Sequence, residues 1–328
     1  MNIKKVKQYI GVAQKALDLL KAEIENEDGG LLEEMMEQTK VVPPSPEPEK
    51  KKEEPVSKPS VHKPPDEWLK LRAKHIQDLL AIDVWPEAFS SPAALKEVGE
   101  KDQVDRANCV LDMILDRPVK GFNFLDFGCG DGWIAQEIVK RGVMSSTGYD
   151  IASSDHWSKV ANVKFTTTLA QLPENNYDVI MLYDVLDHCE DPVVVMDSVL
   201  KLTKRDGVVY VRCHPWTSKH ASHVFKQGVN KAYIHLFLNP EELKGITGKL
   251  PMFTRQEKDP ITAYKWWFNH FEIKRERIIR EQVHGFFLNP AFKELLSTEQ
   301  QIPEDKLDEF MKFMEIQFAD YILTPKVQ

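Results

Sequence analysis

The sequence predicts an α/β fold: a parallel sheet with helices on both faces, preceded by a separate helix and a linker. Three observations carry that expectation. From about residue 104 onward, short apolar β-like runs alternate with helical ones, the pattern of βαβ units. One of those runs passes straight into glycines at alternate positions and then into a helix. Eight of the 20 prolines fall between Val41 and Pro65 and cut the chain in two.

The first segment, residues 1–40, is helical. Ile3, Val6, Ile10, Ala13, Leu17, Leu20 and Ile24 recur at spacings of 3 and 4, an a/d seam that ends near Gly29-Gly30. A short coiled coil or docking helix and a single amphipathic helix lying on its own body both fit the seam. The linker that follows favours self-association or a protein partner through residues 1–28. Residues 41–65 hold Lys50-Lys51-Lys52-Glu53-Glu54 among the prolines and almost no large apolar side chain. Such a stretch buries too little surface to offset the entropy of ordering it.

Residues 66–328 read as one domain. Helical periodicity is expected over Asp66 to Ile82, Val104 to Leu115, Trp133–Arg141 and Val193–Lys204. Strands are expected at Phe122–Phe127, Ser146–Ile151, Val163–Thr168, Tyr177–Tyr183 and Val208–Arg212. Tyr264–Glu281 and Phe318–Lys326 are candidates for two further strands. An insertion is expected at about 215–255.

Composition narrows the function. The 328 residues are 42% hydrophobic and 29% charged, with 43 basic and 51 acidic side chains and a net charge of -8. Residues 1–65 hold 11 lysines and 12 acids, so almost all of the excess sits on the domain. This argues against a polyanionic partner. No apolar run approaches the roughly 18 residues of a membrane span, so no membrane partner is expected. The four cysteines form no CxxC pair. A disulfide framework is not expected, and the simplest location is cytoplasmic.

The most informative stretch is Leu125-Asp126-Phe127-Gly128-Cys129-Gly130-Asp131-Gly132-Trp133. Glycine permits a sharp turn and close backbone approach to a ligand, at the strand end where open α/β sheets bind them. Spacing separates the possible ligands. A nicotinamide-binding G-x-G-x-x-G needs glycine where Trp133 stands, and the Gly-Lys-Ser/Thr of a phosphate loop is absent. An acid two residues before the first glycine gives D-x-G-x-G-x-G instead.

That pattern resembles motif I of the class I, Rossmann-like S-adenosylmethionine-dependent methyltransferases. Leu200 to Val211, with Arg205-Asp206-Gly207, resembles their small-molecule, ubiquinone-type branch. The resemblance implies a three-layer sandwich with a mostly parallel seven-stranded sheet, S-adenosyl-L-methionine as cofactor and a small-molecule acceptor. It places Asp126, Gly128, Cys129, Gly130 and Gly132 in the cofactor loop. Thr147-Gly148-Tyr149-Asp150 looks like the end of the second strand, with Asp150 on the ribose hydroxyls. Alignment of Leu172-Pro173 puts Thr168 where an acid commonly meets the adenine amino group, so its hydroxyl or the Leu169 backbone would serve there. The segment from Ala152 to Ala161 leaves little room for the helix after Asp150.

Tyr177 to His188 looks like motif IV and the turn after it. The resemblance thereby brings Asp184, His188 and His214 near the transferred methyl as catalytic candidates. For each histidine a structural role in a strand-end turn is the competing reading. The run His214-Pro215-Trp216-Thr217-Ser218-Lys219-His220-Ala221-Ser222-His223 reads as an acceptor-binding insertion or lid. Cys213, His214, His220 and His223 match no standard zinc spacing, and no metal is expected. Trp266-Trp267-Phe268 reads as core and Lys274-Arg275-Glu276-Arg277 as a solvated strand face. The Asn-Pro-Pro-Tyr and Pro-Cys signatures of DNA-directed relatives are absent, which also argues against nucleic acid as acceptor. The alternative function is a weakly active or non-catalytic module of the same fold, tethered through its N-terminal helix.

Overall fold

The computed structural model describes residues 66–89, 99–115, 117–248 and 265–326. The helix expected at 1–40, the linker at 41–65 and the end of the insertion at 249–255 lie outside the described residues.

Seven strands form one sheet: β1 (Asn123–Phe127), β2 (Ser145–Tyr149), β3 (Val163–Thr166), β4 (Tyr177–Tyr183), β5 (Thr203–Cys213), β6 (Phe271–Arg280) and β7 (Ile316–Pro325). Their order is β3-β2-β1-β4-β5-β7-β6. The first five run parallel, and β7 is antiparallel to both β5 and β6. This is the mostly parallel seven-stranded sheet that the resemblance implied. Chain order reverses between β1 and β4, the switch point at which such sheets open a crevice beyond their carboxyl ends.

Both faces of the sheet are apolar, because alternate residues of each strand point to opposite sides. Leu125, Phe127, Ile180, Leu182, Val209 and Val211 pack with Met196, Val199 and Leu202 of helix α4 (Pro192–Leu202). Phe124, Val179, Met181, Val208 and Tyr210 pack with Val110 and Leu111 of helix α2 (Glu100–Ile114). Full burial of each such side chain contributes about 1.5–3 kcal/mol.

Local chemistry sets the helix ends. The Asp191 side chain accepts from the Val193 and Val194 amides ahead of Pro192, which starts α4. Asn239 and Glu242 form a capping box that starts α5 (Pro240–Thr247). Helix α1 covers Asp66–Leu80. Helix α3 (Trp133–Glu137) is short and passes into a 3-10 turn over Ile138–Arg141, so the helix expected over Trp133–Arg141 is split between the two forms. A 3-10 turn at Asp155–Lys159 stands where a full helix would follow β2.

The segment after β5 builds a third core. Trp216, Tyr233, Ile234, Leu236, Phe237 and Leu243 pack against Phe287, Leu296, Phe310 and Met314. The latter come from the 3-10 turn Gly285–Leu288 and from helices α6 (Pro290–Gln300) and α7 (Glu304–Met314). Trp85 seals that cluster, with four phenylalanine rings between 5.3 and 5.7 Å from its own. Trp267 and Phe268 are core, whereas Trp266 is 64% exposed. Lys274 through Arg277 are exposed on β6.

Candidate active site

The glycine loop leaves the carboxyl end of β1 with positive φ at Gly128 (78°) and Gly132 (84°), a region that disfavours a side chain. Space is equally restrictive. A Cβ on Gly128 would lie 2.5 Å from Val185 Cγ2, in the turn after β4. One on Gly132 would meet the Phe165 ring of β3 at 2.5 Å. The loop is thus pressed between the turn after β4 and the aromatic ring that β3 supplies.

Hydrogen bonds fix its path. The Gly128 and Cys129 amides both donate to the Tyr149 carbonyl, at 2.7 and 2.9 Å. The Gly130 amide donates to Asp150 Oδ2 at 2.8 Å, and Asp150 Oδ1 accepts from the Ala152 amide at 3.2 Å. Trp157 Nε1 donates to the Gly130 carbonyl at 2.9 Å, and its ring stacks on Phe165 at 4.9 Å and 7°. Ile151, next to Asp150, is 87% exposed. Thr168 is exposed, and its amide donates to Thr166 Oγ1 just before the 3-10 turn Leu169–Gln171.

Beneath the loop, Asp126 is buried on β1, and its Oδ2 accepts no hydrogen bond from the protein. Burial pushes its carboxyl up to about 7, against a lowering hydrogen bond from the Ala135 backbone. The Cys129 thiol is also pushed up by burial and by the nearby Asp126 and Asp150 carboxylates, so it is no nucleophile at neutral pH.

Across the switch point lie the acceptor-side candidates. Asp184 follows β4 in a left-handed conformation (φ 54°), and its amide donates to the Arg212 carbonyl at 2.8 Å. Its Oδ1 is buried without a hydrogen-bond partner. Burial raises the carboxyl to about 6, against the lowering effect of Arg106, Arg212 and Lys226.

The turn Leu186–His188 then brings Asp187, fully buried, against His214 at the end of β5. His214 Nε2 lies 2.8 Å from Asp187 Oδ2 and 3.1 Å from His223 Nε2. His188 Nε2 approaches the same Asp187 oxygen at 3.5 Å. Burial drives three imidazoles here neutral: that of His214 well below its ordinary value, that of His223 to about 3 and that of His220 to about 4. Burial and Asp184 push the Asp187 carboxyl upward. The Asp187–His214 contact is therefore a close approach of two buried polar groups, not a solvated ion pair.

Buttressing comes from Arg212 on β5. Its guanidinium grips both oxygens of Asp320 on β7 and stands 4.9 Å over Phe318.

The structure therefore brings Asp126, Gly128, Cys129, Gly130, Gly132 and Asp150 together at one strand edge. It gathers Asp184, His188 and His214 on the other side of the switch point. Sequence reasoning missed Ile151, Trp157, Phe165 and Asp187. An apolar residue directly after the β2 acid was the signal available for Ile151; nothing local marked the other three.

Residues 91–272, more than half of the chain, match a family model described as a methyltransferase domain. A ubiquinone biosynthesis O-methyltransferase of Neisseria meningitidis is 27% identical over 135 residues, 38% of this chain and 52% of that protein. The chain thus spans about half the length of that relative. The protein of the same description from Yersinia enterocolitica is 28% identical over 214 residues, 57% of this chain and 85% of its own. Among solved structures, an S-adenosylmethionine-dependent methyltransferase from Mesorhizobium loti aligns with a TM-score of 0.42 at 16% identity. That alignment covers 67% of this chain and 99% of that one. The chain belongs to the methyltransferase domain family.

Proposed function

We propose that the chain is an S-adenosyl-L-methionine-dependent methyltransferase that passes a methyl group directly to a small molecule or an exposed group. The observation that carries this reading is the buried, unpartnered Oδ2 of Asp126 directly under a glycine loop whose tip is tied to Asp150. A dry carboxylate with an unfilled acceptor calls for a cationic or N–H donor. S-adenosylmethionine carries such donors, together with a ribose diol and a flat purine.

The residues present fit that group. Asp126 would take the cationic amino-acid end. Asp150 keeps lone pairs beyond those used by the Gly130 and Ala152 amides, and would accept from the diol. Ile151 and Leu169 offer apolar surface to the purine, with the Thr168 hydroxyl or the Leu169 amide at its polar edge. Gly128, Cys129, Gly130 and Gly132 supply backbone that approaches without side-chain obstruction.

When bound, the cofactor supplies a methyl on a sulfonium, already an activated electrophile. The chain has to hold the acceptor in line, where orientation can contribute about 7–11 kcal/mol. Asp184 and the His188–Asp187–His214 group bound the acceptor side. Asp184, raised toward neutrality with an unpartnered oxygen, is the proposed residue to receive an acceptor proton. His214 is 1% exposed and engaged on both sides of Nε2, so its proposed part is to hold this wall.

The relatives' description as ubiquinone biosynthesis O-methyltransferases supports an oxygen acceptor on a small molecule for this chain. A protein partner or self-association through residues 1–28 and a cytoplasmic location stay proposals of the same kind. Among the described residues the four cysteines form no disulfide, and no helix is long and apolar enough to cross a membrane.

The test uses methyl-labelled S-adenosylmethionine and fractionated extract of the native host. Label should enter one fraction with the wild-type chain and not with Asp150→Ala. Label uptake that Asp150→Ala leaves unchanged would remove the assignment.

A further inference from the structure

Three histidines from two separate segments converge at the acceptor side. His188 ends the 3-10 turn after β4. His214 follows β5, and His223 closes the loop beyond it. One ligand nitrogen from each lies within 4.8 Å of the others. Asp187 adds a carboxylate oxygen 2.8 Å from His214 Nε2 and 3.5 Å from His188 Nε2. His214, His223 and Asp187 are all buried. We propose that these four residues form a binding site for one divalent transition-metal ion of the zinc class, which pins the segment after β5 to the turn after β4.

Distances support a shared centre. Tetrahedral zinc with ligands at about 2.0–2.2 Å places neighbouring ligand atoms roughly 3.3 Å apart. The observed separations of 2.8, 3.1 and 3.5 Å bracket that edge. The widest nitrogen pair exceeds it, and side-chain rotation would close the shell.

Proton counting supports it independently. His214 Nε2 faces a carboxylate oxygen and an imidazole nitrogen at once. An imidazole nitrogen carries one hydrogen at most, so it cannot give a full hydrogen bond to both. A cation between these groups would accept a lone pair from each of them.

Ligand chemistry sets the ion. Three imidazoles and one carboxylate suit zinc or cobalt, whereas magnesium and calcium seek oxygen shells. His220, its ring 5.3 Å from that of His214, lies just outside the proposed shell. The reason that sequence spacing shows no metal pattern is topological. The ligands are parallel-strand neighbours brought together by β4 and β5, not members of a local motif. The site does not depend on the methyl-transfer reading, since none of its ligands belongs to the glycine loop or to Asp150.

The test uses the full chain without a histidine tag. The protein is stripped with chelator, reloaded with Zn²⁺ or Co²⁺ and passed through gel filtration. The expected result is one equivalent of retained metal by elemental analysis, with the intense visible absorption of tetrahedral Co²⁺. His223→Gln and His188→Gln should each weaken binding by more than the roughly 10–100-fold that loss of an outer-shell partner costs. The exposed control His270→Gln should keep it. Where His223→Gln fails to fold, the partly exposed His188 decides: Zn²⁺ should raise the melting temperature of wild type but not of His188→Gln. Substoichiometric metal in wild type, no Co²⁺ spectrum, or equal retention in His188→Gln would overturn the proposal.

Discussion

Asp150 Oδ2 accepts the Gly130 amide hydrogen at 2.8 Å, so the acid that ends β2 is fastened to the tip of the loop that leaves β1. One carboxylate therefore both shapes the loop and borders the crevice beside it. Replacing it removes a charge-assisted hydrogen bond, worth about 1.5–3 kcal/mol, together with the proposed diol contact. Asp150→Ala should weaken S-adenosylhomocysteine binding at least roughly tenfold to hundredfold. Calorimetry checks the affinity, and circular dichroism should show an unchanged fold.

Asp126 links binding to protons. Its folded value of about 7 stands above its ordinary value of 3.8. The carboxyl is thus neutral in the folded chain at mildly acidic pH, and ionising it works against folding. Its contribution to stability is fully present below about pH 4 and is lost as pH rises through about 7. Thermal melts of Asp126→Asn should lack that component of the wild-type decline between pH 4 and 7. A cationic ligand favours the ionised form, so binding at pH 6 to 7 should release a proton from wild type. Calorimetry in buffers of different ionisation heat should show this release and lose it in Asp126→Asn.

Gly128 has two reasons to be glycine. Gly128→Ala places an L side chain at φ 78° and a Cβ against Val185. The conformational part alone costs about 1–2 kcal/mol. The double variant Gly128→Ala/Val185→Ala should recover the steric part of the loss in chemical denaturation and leave the conformational part.

Asp320 anchors the β5–β7 junction. It is bound by the buried Arg212 and by Arg277, which is 45% exposed. Asp320→Ala leaves a buried guanidinium unpaired and should cost about 3–5 kcal/mol. Arg277→Ala should change stability by about 1 kcal/mol or less. Equal losses in the two variants would refute this division.

The parallel core was legible because its signals are local. Tyr177–Tyr183 shows in the sequence as an apolar run and forms β4 over the same residues. The glycine loop was legible because three glycines and an acid carry their own geometry. β5 was not fully legible. The sequence extends the helix to Lys204 and reads Arg205-Asp206-Gly207 as a turn, but the strand already begins at Thr203, and its pairing with β4 shifts register between Tyr177 and Val179. Gly207 permits that irregularity, since a Cβ there would meet the Lys204 and Tyr177 carbonyls at 2.9 Å. The third core escaped because its parts, from Trp85 to Met314, meet only through the tertiary fold. Asp187 escaped for the same reason: its partner His214 comes from the next strand of the sheet.

The central claim is that the Asp126–Gly132 loop and Asp150 hold S-adenosylmethionine. Titration of the full chain with S-adenosylhomocysteine, followed by calorimetry, tests it most directly. The account predicts a saturable one-to-one isotherm for wild type that Asp126→Ala and Asp150→Ala each weaken at least roughly tenfold. No heat with wild type, or equal affinity in both variants, would contradict it.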